Sequence, residues 1–225
     1  RQLLTHTSGI SYAGIGQKNA VAIYAKHQIP SGIGTPQGKL SDAMLALAKQ
    51  PLVHQPGERF TYGLNTDVLG YLVEIWSGMS FDQFLRTRIF DPLGMKDTYF
   101  YLPKNKHNRL VALHGNRDGK AYKLDAAAFD AVTTDYPKLE GSYFSGGAGL
   151  SSTAEDYAKF LQLFLNNGEY NGVRLLGRKT VELMLTDQLP ELDNEFGLGF
   201  GLETVKNDFR SPVSVGTFSW GGAFS

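Results

Sequence analysis

Few residues in this 225-residue chain are of a type and spacing that could do chemistry. There is no Cys, so there is no thiolate nucleophile, thiolate metal site or disulfide frame. The five His, at 6, 27, 54, 107 and 114, form no helical i, i+4 pair, and His-Glu-x-x-His does not occur, so no zinc site is expected. His6 and Ser8 look like half of a Ser-His pair. Two residues apart, however, they face away from each other on a strand and seldom meet on a helix, so the expectation is a turn fixed by Thr and Ser hydroxyls. Ser151 and Ser152 read as helix-start residues. No Gly-x-Ser-x-Gly elbow occurs, which argues against the α/β-hydrolase fold. The run from Gly172 to Thr180 misses a phosphate loop by one residue and follows a turn, so it reads as a loop-to-helix junction. Gly197-Leu-Gly199-Phe-Gly201 opens no helix and reads as a glycine-rich strand packed on a neighbour.

Five stretches have the apolar spacing of helices that could position a site. Ser41 is placed to cap 42–49, with Ala43, Met44, Leu47 and Ala48 as one stripe. A second helix starts at Asn65 or Thr66 and runs to Ser77, with Val68, Leu69, Leu72, Val73 and Trp76 on one face, and Gly78 closes it in a left-handed cap. Ser80 and Gln83 form a capping box ahead of Phe81, Phe84, Leu85 and Ile89, and Pro92 is expected to stop that element. Thr153 and Asp156 open another helix, with Tyr157, Phe160, Leu161, Phe164 and Leu165 inward and Gly168 at its end. Residues 177–185 are a shorter candidate. Strand signals lie at 196–205 and 213–220, and Asn171-Gly172 reads as a hairpin turn. Residues 11–39 and 101–140 read as loops.

Twenty-two Lys plus Arg balance 22 Asp plus Glu, which argues against a general polyanion binder and hence against nucleic acid. Apolar residues at 42% and charged residues at 20% are an ordinary globular balance, and a chain this long buries a sizeable core. No run approaches the length of a membrane span. The absence of Cys is compatible with a cytoplasmic or an exported bacterial protein.

Several segments together resemble the penicillin-recognising serine hydrolases, the group of β-lactamases, D-Ala-D-Ala peptidases and family VIII carboxylesterases. They are, in order, Leu3-Leu4-Thr5-His6-Thr7-Ser8-Gly9-Ile10, Pro56-Gly57-Glu58-Arg59-Phe60-Thr61-Tyr62, and Asp67 through Gly70 to Glu74. Next come Phe90 through Gly94-Met95 to Asp97-Thr98, Gly146-Gly147-Ala148-Gly149-Leu150-Ser151-Ser152-Thr153-Ala154-Glu155-Asp156, and Phe218-Ser219-Trp220-Gly221-Gly222-Ala223. The likeness spans nearly the whole chain and is weakest over 11–40, 101–140 and 186–214.

The resemblance implies an α+β fold of the β-lactamase/transpeptidase type, an all-helical lobe plus part of an α/β lobe with an antiparallel sheet, with 1–185 mostly the helical lobe and the sheet strands within 194–225. Tyr62 falls at the family's catalytic Tyr, a phenol that a neighbouring Lys ammonium can bring down to serve as general base. Asn65 stands one place later than the family's substrate-binding Asn. Trp220-Gly221-Gly222 takes the place of the family's Lys-Thr-Gly or His-x-Gly box as a substrate-binding strand edge. Ala223 would offer its N–H as half of an oxyanion hole. Glycines at 221 and 222 let backbone and acyl group approach closely. Tyr12, Tyr143 and Phe144 are candidate cleft aromatics. No Ser has Lys three residues on. In the family that motif lies upstream of the Leu-Thr-His-Thr segment, which places it before Arg1, and the last strands and C-terminal helix would follow Ser225.

Trp220 in place of Lys removes a cation that would pair with a penicillin carboxylate, an interaction of roughly 1.5–3 kcal/mol. The indole favours a neutral, apolar acyl or alkyl group instead. The expectation is a carboxylesterase working through an acyl-enzyme on small esters, without metal or organic cofactor. The alternatives are a β-lactam or D-Ala-D-Ala peptide hydrolase, or a chain that is non-catalytic because the nucleophile is absent from it.

Overall fold

A computed structural model of the chain describes residues 1–124 and 133–222. Its architecture is α+β. Helices α1 (Lys18–Lys26), α2 (Leu40–Leu47) and α3 (Asn65–Ser77) come first, then α4 (Phe81–Leu85), a π-turn at Arg86–Phe90 and α5 (Asp91–Leu93). A hairpin of β1 (His114–Arg117) and β2 (Lys120–Lys123) precedes α6 (Ala154–Leu165). The hairpin β3 (Glu169–Tyr170) and β4 (Val173–Arg174) leads to α7 (Arg178–Met184), and β5 (Gly201–Leu202) pairs antiparallel with β6 (Phe218–Ser219).

Local chemistry accounts for most boundaries. Gly78 closes α3 at φ 69°, a left-handed position that costs glycine little. The Ser80 hydroxyl accepts from the Gln83 N–H and the Thr153 hydroxyl from the Asp156 N–H, each filling an orphan donor of a first turn. Asn171 and Gly172, at φ 48° and 78°, make the tight turn that the Asn-Gly pair signals.

Several expectations are corrected. Helix α1 lies inside the stretch read as loop. Its register buries only Ala20 and Tyr24, and its N-cap, Gln17, supplies no side-chain bond, so no start signal was visible. Lys39, not Ser41, is the N-cap of α2. Pro92 does not stop the chain: the backbone runs through the π-turn into α5, where Pro sits in the first turn and needs no N–H, and Gly94 ends it at φ 66°. The β1–β2 hairpin also lies in an expected loop. Its strands are exposed on nearly every residue, so no alternation marks them. Of the two long strand candidates only β5 and β6 form.

The core has three centres. One joins Tyr12, Ala20, Tyr24, Ile33, Leu40, Met44, Leu64 and Tyr143, with Tyr62 packed against its edge. A second joins Phe90, Leu93, Met95 and Leu163, and the third Phe164, Val181, Phe200 and Leu202. In α6 the inward residues are thus Leu163 and Phe164, with Phe160 packed between the second and third centres as expected, while Tyr157 and Leu165 are exposed, as is Trp76 at the end of α3.

Replacing Leu163 by Ala should cost about 2–5 kcal/mol of stability, and replacing Leu165 no more than about 0.5 kcal/mol. Chemical denaturation of the two variants checks this assignment of the helix face.

Candidate active site

Tyr62 is held by backbone before it is held by side chains. The N–H of Thr61 donates to the His6 carbonyl at 2.7 Å and that of Leu64 to the Ser11 carbonyl at 3.2 Å. Between them lies Gly63, where a Cβ would sit 2.1 Å from the Ile10 carbonyl oxygen. Only glycine lets these two segments lie this close. The segment 5–9 is itself a buried turn fixed by hydroxyls, as expected: Thr5 and Thr7 share a bond of 2.9 Å, and the Ser8 oxygen accepts from the Ile10 N–H at 3.1 Å.

The Tyr62 ring is half-buried and stacks on Tyr12, with centroids 5.3 Å apart. It also meets His6 at 4.8 Å and Trp220 at 5.6 Å. Trp220 follows β6 directly, is 45% exposed, and packs edge-on against Phe196 at 5.0 Å. Tyr62, Trp220, Gly221 and Gly222 line one cleft of about 900 Å³. Tyr12, Phe81, Phe100 and the glycine loop 145–149 line it too. Ala223 lies outside the described residues.

Asn65 stands behind the site rather than in it, which corrects the expectation of a substrate-binding amide. It is fully buried, accepts from the Ser8 hydroxyl and donates to His6 Nδ1 at 3.0 Å. Tyr12 faces the cleft, whereas Tyr143 is buried in the core and Phe144 packs on Phe100 and Tyr101.

The sequence reading missed Asp67. This carboxylate on the first turn of α3 is fully buried. It accepts from the Ser145 hydroxyl at 2.8 Å, and Ser145 in turn accepts from the N–H groups of Gly147 and Ala148. The pair thereby ties the glycine loop that walls the cleft to the helix that follows Tyr62. An acid on a first turn ordinarily reads as a solvated dipole partner, so nothing local in the sequence marked a buried one.

Burial pushes the Tyr62 phenol up, the Trp220 indole lowers it by hydrogen bonding, and the Asp67 charge raises it again. Burial drives His6 down to about 4 and Asp67 up to about 6. Among the described residues no cluster of His, Asp or Glu could hold a metal ion, and no helix is long and apolar enough to cross a membrane.

With this geometry in view, the relatives are informative. The Beta-lactamase family matches residues 1–225, and the chain belongs to it. Protein Rv1367c of Mycobacterium tuberculosis is 34% identical over 239 residues, covering 99% of this chain and 56% of that protein. The chain thus spans about half the length of the curated relatives it matches. Among solved structures, EstCE1, titled a hydrolase with promiscuous acyltransferase activity, superposes with a TM-score of 0.83 at 23% identity, over 100% of this chain and 61% of its own. Simvastatin synthase (LovD) from Aspergillus terreus gives 0.68 at 27%, over 90% of this chain and 53% of its own. The fold is that of the β-lactamase/transpeptidase group.

His6 and Asp67 make opposite contributions to acid stability. His6 takes up its proton at 6.5 when unfolded and at about 4 when folded, so its contribution is full above pH 6.5 and is lost as the pH falls to about 4. Asp67 takes up its proton at 3.8 unfolded and about 6 folded, so the fold gains stability as the pH falls through 6 toward 3.8. The two offset each other over the shared window. Asp67→Asn removes the second contribution, leaving a His6 loss on the order of 3 kcal/mol across that window. Urea titrations at stepped pH should show the variant losing stability more steeply than wild type below pH 6; parallel curves would refute this.

Proposed function

We propose that the chain forms part of a serine hydrolase whose substrates are small esters, with Tyr62 as the proton-transfer residue. The observation that carries this is the convergence of the Tyr62 phenol and the Trp220-Gly221-Gly222 backbone on one aromatic cleft. On this reading a serine hydroxyl, from a Ser-x-x-Lys segment that the family pattern places before Arg1, gives its proton to the Tyr62 phenolate as its oxygen attacks the ester carbonyl. The phenol returns that proton to the departing alkoxide, which leaves as an alcohol, and water then hydrolyses the acyl-enzyme by the same relay. A Lys ammonium beside Tyr62 would favour the phenolate against its burial. The Ala223 N–H would share the oxyanion with the N–H of the serine.

The ester preference rests on Trp220. Where the family's β-lactam enzymes place a cation, this chain places a neutral indole, which pairs with no substrate carboxylate and adds apolar surface. Activity on β-lactams or D-Ala-D-Ala peptides is the second reading, favoured by family membership and by a relative named putative D-alanyl-D-alanine carboxypeptidase from Salmonella typhi, 32% identical over 200 residues, covering 82% of this chain and 46% of its own.

In the full-length gene product, Tyr62→Phe should lower kcat for p-nitrophenyl butyrate by about 10²–10⁴-fold. Turnover near wild type would remove Tyr62 from the mechanism. Wild type should hydrolyse that ester far faster than nitrocefin, and the reverse order would favour the β-lactam reading. A fluorophosphonate probe should label a serine of the Ser-x-x-Lys segment. Labelling of Ser8 or Ser151 would contradict the roles given to them here, and no labelling would indicate a non-catalytic protein.

A further inference from the structure

We propose that His6 is a positioning residue for this site, the fixed ring against which both Tyr62 and Trp220 are set. The proposal rests on the reading of Tyr62 given above.

Four aromatic rings from three separate segments meet the His6 imidazole. They are Phe60 at 5.7 Å, Tyr62 at 4.8 Å, Phe196 at 5.8 Å and Trp220 at 6.2 Å, the last nearly parallel at 14°. Trp220 is held inward by His6, Phe196 and Tyr62, while nearly half its surface is open. Loss of the imidazole would therefore free the indole and relax the phenol together.

The His6 ring is itself locked. The Ser8 oxygen accepts from the Ile10 N–H, and its hydroxyl donates to Asn65 Oδ1, an oxygen that can only accept. That fixes the amide with its NH₂ toward His6, and Asn65 Nδ2 donates to His6 Nδ1 at 3.0 Å. Nδ1 is thus the acceptor of a neutral imidazole whose proton is on Nε2. The backbone of His6 sits at φ 52°, a left-handed conformation uncommon outside glycine. Filling a hole in the core requires neither a directed polar chain nor a backbone of this kind. Both are expected where ring orientation matters, since such conformations persist only when the surroundings over-determine them.

The test compares His6→Leu, His6→Phe and Tyr62→Phe in the full-length gene product, labelled with fluorotryptophan and with the Trp220 resonance assigned by its loss in Trp220→Phe. His6→Leu should lower kcat about tenfold to hundredfold with a smaller change in KM, and should shift the Trp220 resonance. His6→Phe, which keeps a ring for Tyr62 and Trp220 to pack on, should restore the resonance and most of kcat. Two results overturn the proposal: a folded His6→Leu protein with kcat and resonance unchanged, or a His6→Phe protein as impaired as His6→Leu in both. Should His6→Leu fail to fold, His6→Gln, which keeps an acceptor but no ring, takes its place with the same expectations. If Tyr62→Phe keeps full activity, the reading of the site falls, while the Trp220 resonance still reports on His6 by itself.

Discussion

The structure depends on two coil segments, 5–11 and 60–65, that touch through their backbones without forming a sheet. Besides the bonds on either side of Gly63, the Gly57 N–H donates to the Thr7 carbonyl at 2.7 Å and the Val53 N–H to the Gly9 carbonyl at 2.9 Å. Gly9, at φ 85°, leaves no room for a Cβ, which would sit 2.3 Å from the His54 carbonyl oxygen. His54 bridges in turn to the Thr61 hydroxyl at 2.8 Å. This seam closes a loop of some fifty residues, an entropic cost that grows only slowly with length and that the buried bonds offset. Helix α3 begins where the seam ends. Its first turn then reaches in two directions, through Asn65 back to the seam and through Asp67 forward to the glycine loop. The backbone of Tyr62 is thus placed by main-chain contacts, and only its ring orientation is left to the side chains around it.

That division explains what could be read from the sequence. Helices α3, α4 and α6 announce themselves because their caps are local: Gly78, Ser80 and Thr153 act on backbone within three or four residues. Tyr62 and the Trp220 box stand out as candidates because their neighbours in sequence resemble a family, and the structure sets their rings 5.6 Å apart. Asp67 and Asn65 were not legible as buried supports, since their partners lie 78 and 57 to 59 residues away. The inward reading of Trp76 failed for a related reason. Periodicity marks an apolar stripe, but the width of the stripe that is covered depends on what packs there, and α3 buries Asn65, Asp67 and Gly70 instead. The β1–β2 hairpin carried one legible sign, Asp118-Gly119, at φ 51° and 77°.

The electrostatics of the cleft bear on how Tyr62 could act. Burial and the Asp67 charge both keep the phenol protonated, and the neighbouring Trp220 indole opposes them. The cations among the lining residues are Lys106 and Arg109, and both bond the Asp97 carboxylate, which they hold down at about 2. Neither is committed to the phenol. A tyrosine base in this cleft therefore needs a cation from another segment, which is the role the proposed mechanism gives to the lysine of Ser-x-x-Lys.

The same accounting bears on Trp220. A lysine at this position would serve two ends at once, lowering the phenol and holding an anionic substrate group. The indole separates them: its N–H still favours the ionised phenol, while its ring contributes apolar surface and no charge. It stands beside two glycines whose backbone a flat acyl group can approach closely. On the proposed reading, the substitution keeps some assistance to the base and discards the attraction for a carboxylate. On that same reading, the change moves substrate preference toward neutral esters while leaving the order of proton transfers intact.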